Sequence, residues 1–144
     1  MTYHISTINK GILGEWSKVI EELEELLDSR EQNCKIMELL ELSDLYGAIN
    51  SYCHKYIGLS FAKTYKSMNK KTMVFSISKP NIKDIKNEVL EFEHKKTINT
   101  QKEQIALIYD IISEYLDFNY MLNMKDLKIM SRITARAFTS GERT

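Results

Sequence analysis

Two pairs of acidic residues, Glu22 with Glu25 and Glu41 with Asp44, are each spaced three apart and mirror one another about Asn33. On a helix, residues three apart share a face, one above the other. Glu25 and Glu41 are equidistant from Asn33, and so are Glu22 and Asp44. A chain that folds back around Asn33 as an antiparallel helical hairpin therefore brings four carboxylates to one level. Like charges so close repel unless cations lie between them. The spacing thus constrains the fold and the chemistry together: two facing helices, and a seam that needs positive charge.

The flanking residues agree. Trp16, Ile20, Leu23 and Leu27 recur at helical spacing and predict a helix from about Glu15 to Asp28. The polar run Ser29-Arg30-Glu31-Gln32-Asn33 suits a short turn. A second helix, from about Cys34 to Lys55, is apolar round most of its circumference through Ile36, Met37, Leu39, Leu40, Leu42, Leu45, Ile49 and Tyr52. Such a helix is a buried one, and the small Gly47 and Ala48 admit a neighbouring backbone. Glu21, Glu22, Glu24 and Glu25 alone read as a solvated face. Glu41 and Asp44 do not: they fall among apolar positions, with no Lys or Arg at i±4. Acids in an apolar setting are costly unless paired or metal-bound. Oxygen-only ligands favour a hard ion, Mg²⁺ or Mn²⁺, over zinc, and Mg²⁺ keeps positions for water and substrate phosphates. The chemistry indicated is metal-assisted work on a phosphorylated compound.

The rest of the chain also reads as helical, with one proline and five glycines in 144 residues. The stretch Gly58–Pro80 is a basic connection carrying Lys63, Lys66, Lys70 and Lys71, with one short extended segment near 72–77. Ile82, Ile85, Val89 and Phe92 predict an amphipathic helix from about Asn81 to Lys95. The run T100-Q101-K102-E103 reads as a capping box that opens a helix to about Asn119, with Ile105, Leu107, Ile108, Ile111, Ile112 and Leu116 inside. A last helix runs from about Lys125 to Thr139, with a stripe of Leu127, Met130, Ile133, Ala137 and Phe138 and a stop at Gly141. The acid spacing recurs as Glu88 with Glu91 and Glu114 with Asp117, mirrored beside the capping box. Residues 81–119 then form a second helical hairpin, with the quartet a chance product of Glu-rich helices, a degenerate internal duplication, or a second metal site.

The expectation is one all-α domain over residues 1–144, a bundle of antiparallel helical hairpins. A net charge of zero removes the electrostatic case for bulk nucleic-acid or membrane binding. No apolar run reaches membrane-spanning length, and the first residues lack an apolar signal core. Cys34 and Cys53 have neither zinc nor disulfide-framework spacing and read as reduced, space-filling thiols. His4, His54 and His94 are scattered. These features place the chain in a cytoplasm.

EExxE followed by ExxD, with fifteen residues between, resembles the motif of the MazG-like all-α nucleoside triphosphate pyrophosphohydrolases. The flanks S17-K18-V19-I20-E21-E22-L23-E24-E25-L26 and M37-E38-L39-L40-E41-L42-S43-D44-L45-Y46-G47-A48-I49 resemble short phage-type members. So does the ending M130-S131-R132-I133-T134-A135-R136-A137-F138-T139-S140-G141-E142-R143. The resemblance covers residues 10–56 and 121–143. It implies Mg²⁺-dependent hydrolysis of a nucleoside triphosphate, often a deoxynucleotide, to a monophosphate and pyrophosphate. It also implies a helical bundle built across a homodimer or homotetramer. The family's metal ligands fall on Glu22, Glu25, Glu41 and Asp44, with Glu21 as a supporting acid or base partner.

Residues 60–118 depart from the compact members and look like an inserted helical hairpin. That departure keeps a second function open, a nucleotide-sequestering protein on the same scaffold with hydrolysis lost or slow. A tetra-acid metal site also needs cations opposite it to hold a polyphosphate. Lys125, Lys128, Arg132 and Arg136 on the closing helix read either as a solvated face or as a phosphate clamp. The family-like ending favours Arg136 and Arg143, with Lys18, one turn before the first acids, as a further candidate.

Overall fold

A computed structural model describes residues 7–68 and 79–140, with side chains as far as residue 135. Among the described residues there are six α-helices and no strand: α1 (Trp16–Glu31), α2 (Lys35–Tyr56), α3 (Phe61–Ser67), α4 (Ile82–Glu91), α5 (Ile98–Tyr120) and α6 (Met124–Ser140). The all-α expectation holds; the extended segment near 72–77 lies outside the described residues. No described helix is long and apolar enough to cross a membrane.

The described chain divides into two compact units. The first holds α1, α2 as far as Tyr52, and α6 from Lys125; the second is Cys53–Met124. The segment expected as an insertion, about 60–118, lies inside the second.

In the first unit α1 and α2 run antiparallel. The Trp16 ring meets Tyr52 edge-on at 5.1 Å at one end, and Arg30 Nη1 lies 3.7 Å from Glu38 Oε2 at the other. The expected turn at 29–33 is shorter and later. Ser29 is buried and its hydroxyl donates to the Leu26 carbonyl at 2.7 Å, so the helix continues to Glu31. Reversal falls at Asn33, whose φ of 57° is left-handed, a conformation asparagine accepts more readily than most residues. Val19, Leu23 and Leu26 from α1 and Leu42, Leu45, Tyr46 and Ile49 from α2 are buried. Each such side chain contributes about 1.5–3 kcal/mol when removed from water. Ile36 departs from the expected all-round burial and is exposed, while Glu38, in the same first turn, is buried. Among the described side chains of α6, Met124, Leu127 and Thr134 are buried, and Ile133, expected inside, is exposed. Gly47 faces this helix, and a methyl there would meet Ser131 Cβ at 3.8 Å, an ordinary contact.

In the second unit α3 and α4 both pack on α5. The stripe Ile82, Ile85, Val89 and Phe92 is buried as its spacing predicts, and on α5 so are Ile105, Ile108 and Ile112. The basic connection hides a helix that apolar periodicity alone does not show. Ser60 caps α3 by accepting the Lys63 N–H at 3.1 Å, Phe61 and Thr64 turn inward, and Tyr65 stacks on Tyr109 at 4.2 Å. The capping box of α5 sits one turn earlier than expected: Thr97 is the N-cap, and it exchanges hydrogen bonds with Thr100. Cys53 is buried beside Thr64, and burial pushes its thiol up to about 12, in keeping with a space-filling role.

Candidate metal centre

The acid tetrad lies on the α1–α2 seam, between the Trp16–Tyr52 and Arg30–Glu38 contacts. Glu22, Glu25, Glu41 and Asp44 each offer one carboxylate oxygen, and these four atoms lie within 4.8 Å of one another. The cause is register. With the turn centred on Asn33, the i, i+3 pairs of the two helices meet level with each other. Glu41 is completely buried and Glu22 nearly so, while Glu25 and Asp44 are half-buried. The Oε2 atoms of Glu22 and Glu41 are buried and accept no hydrogen bond among the described residues.

The electrostatics follow from that crowding. Burial, then hydrogen bonding and repulsion from Glu25, then Asp44, push the Glu22 carboxyl up to about 8, against the opposing pull of Lys18. An acid so placed favours a proton or a metal ion as its partner. Oxygen-only donors at this spacing, with a buried Glu22 oxygen left for a ligand, fit a hard divalent cation.

Glu21, adjacent in sequence, does not join the cluster. Its Oε1 accepts the Gly11 N–H at 2.7 Å and its Oε2 lies 3.0 Å from Lys18 Nζ. Burial works to raise its pKa, but the Gly11 N–H, Lys18 and Lys10 outweigh it and hold the carboxyl below its ordinary value. That environment keeps Glu21 ionised beside the cluster. Lys18, expected as a phosphate contact, is engaged by the acids: its Nζ lies 3.0 Å from Glu21 Oε2 and 3.0 Å from Glu22 Oε1. Burial works to lower its pKa, yet the two carboxylates raise it on balance. Arg136 falls within α6, but its side chain and the whole of Arg143 lie outside the described positions.

The mirrored spacing extends one tier further than the four acids. Asp28 and Glu38 are also equidistant from Asn33, continue both i, i+3 series, and are buried. The same counting that finds the tetrad finds this pair. It is closed by the protein's own donors: Gln32 Nε2 donates to Asp28 Oδ2 at 2.9 Å, and Arg30 faces Glu38. The quartet of the second unit does not assemble, for the tetrad is the sole such acidic group among the described residues. The α4–α5 turn lies at 95–97, so Glu88 meets Gln104, whose Nε2 donates to it at 3.0 Å, and not Asp117. Glu114 is raised by burial and by Asp110 of its own helix.

Comparison with protein-family models, curated proteins and solved structures returns no match to this chain, so the tetrad's geometry stands as its own description.

Proposed function

We propose that Glu22, Glu25, Glu41 and Asp44 hold Mg²⁺ or Mn²⁺, and that the protein hydrolyses a nucleoside triphosphate, most naturally a deoxynucleotide, to its monophosphate and pyrophosphate. The observation that carries this reading is the convergence of four carboxylates within 4.8 Å on a buried seam. The resemblance of the same residues and their flanks to MazG-like pyrophosphohydrolases supports it. The ion would neutralise phosphate charge and orient a water for attack. The reaction adds that water across the α–β anhydride: one P–O bond forms, one breaks, and pyrophosphate leaves.

The chain's own groups supply the setting. Burial of Glu41 and Glu22 excludes bulk water from one side of the cluster and strengthens its interactions. The Asn33 turn fixes register, and with it the distances between ligands. Arg136 and Arg143 remain the proposed phosphate contacts, and a homo-oligomer the proposed assembly. A nucleotide panel with pyrophosphate detection, run with Mg²⁺, with Mn²⁺ and with chelator, tests the reading. Metal-dependent pyrophosphate release from at least one nucleotide is expected, with loss of at least about 100-fold for Glu41→Gln, since a buried ligand is removed. Silence across the panel would count against hydrolysis.

The compact second unit, Cys53–Met124, favours one alternative: a sequestering protein that binds the nucleotide through the same metal and releases it unchanged. Intact triphosphate recovered after denaturing the protein would support that alternative, and rapid turnover would exclude it.

A further inference from the structure

A chain of contacts connects the backbone before α1 to the metal centre. Gly11 N–H donates to Glu21 Oε1 at 2.7 Å; Glu21 Oε2 lies 3.0 Å from Lys18 Nζ; the same Nζ lies 3.0 Å from Glu22 Oε1; and Glu22 Oε2 is buried without a hydrogen-bond partner. Every member belongs to the first unit. We propose that this relay positions Glu22: Lys18 and Glu21 are positioning residues that hold one Glu22 oxygen so that the other is left for the ion, and Gly11 anchors them. The proposal rests on the reading of the tetrad as a metal centre.

Three observations support it. First, Lys18 restrains Glu22 from outside the cluster with one contact and is itself held by an equally short contact to Glu21. A lysine alone would swing with its four-carbon stem; one shared between two carboxylates is fixed. Second, Glu21 is fixed in turn, by the ammonium on one oxygen and a backbone donor on the other. Third, the donor cannot drift. A Cβ at Gly11 would collide with the Ser17 carbonyl oxygen and the Lys18 nitrogen, both backbone atoms. The segment therefore lies against the first turn of α1 as closely as glycine permits, and Ile12 N–H donating to Ser17 Oγ at 3.0 Å holds it there. Partners that orient a metal ligand set affinity by about 10–100-fold when removed.

Charge alone predicts the opposite sign for Lys18. Removing a cation beside a tetra-acid site relieves repulsion and should tighten divalent binding. Removing a positioning group should weaken it. Mn²⁺ titration of the full chain, followed by the electron-spin resonance of the free ion, reads the sign without any turnover. Wild type should bind and Glu41→Gln should not; no binding by wild type would sink the metal centre itself. Given binding, Gly11→Ala, which changes no charge, should weaken Mn²⁺ about 10-fold with helicity retained by circular dichroism. Lys18→Met should weaken it by a similar factor, and Lys18→Arg should restore much of the loss. Unchanged affinity in folded Gly11→Ala, or tighter binding in Lys18→Met, would overturn the relay and leave the metal centre standing. Should Gly11→Ala lose its helicity, the sign of the Lys18→Met change decides.

Discussion

Adjacent carboxylates can be driven in opposite directions by what each faces, and Glu21 and Glu22 are such a pair. Glu21 meets a backbone donor and an ammonium and stays ionised; Glu22 meets other acids in a buried place and is pushed up to about 8. The sign for stability follows. In the unfolded chain a glutamate titrates near ~4.3. The metal-free fold therefore binds the Glu22 proton more tightly than the unfolded chain does. That contribution is fully present below the unfolded value and is lost as pH rises through about 8. Melting the metal-free protein in chelator should show stability falling between pH 5.5 and 8.5, by an amount on the order of a few kcal/mol. Glu22→Gln should flatten that slope. An unchanged slope in the variant would place its cause elsewhere in the molecule.

A turn decides which acids meet, and this is visible when the two hairpins are compared. Around Asn33 the i, i+3 pairs come level; around 95–97 an equally regular quartet is carried past its partners. Asn33 is exposed, so its contribution is conformational. Asn33→Val should cost about 1–2 kcal/mol in a urea titration, since a β-branched residue resists the left-handed region, whereas Asn33→Gly should be close to neutral. The Val variant should also lose metal affinity, because the seam's register depends on that reversal. Equal stability for the two variants would mean that packing along α1–α2, and not the turn, sets register. The first hairpin was legible in sequence because its acids are symmetric about a residue that can reverse the chain, and because Glu41 stands among apolar positions. For the second quartet the sequence left chance, duplication and a metal site open for the lack of such a pivot: the cap at Thr97 had a rival at Thr100, and one turn of difference moves every facing pair. Helix α3 was hidden because its inward residues, Phe61 and Thr64, are few and lysines surround them. The Ser60 cap was the available signal. The pairing of Lys18 with Glu21 and Glu22 follows helical spacing, i, i+3 and i, i+4, but the Gly11 N–H bond to Glu21 was not legible, because it comes from outside the helix.

At the scale of the whole molecule, the chain builds one compact unit from its two ends and another from its middle. A ligand stabilises what it binds, and regions with few shared contacts open separately. Hydrogen exchange with and without Mg²⁺ should therefore show added protection in α1 and in α2 up to Tyr52, with amides of the α4–α5 hairpin unchanged. Equal slowing in both units would show that they open as one. The division also bears on how the protein is made. The ribosome delivers α1 and most of α2 before residues 53–124, and α6 after them. A chain made only as far as Met124 leaves the side of α2 around Gly47 without the helix that carries Ser131. The acidic seam is thus synthesised before the middle unit, while the α6 part of its own unit follows it.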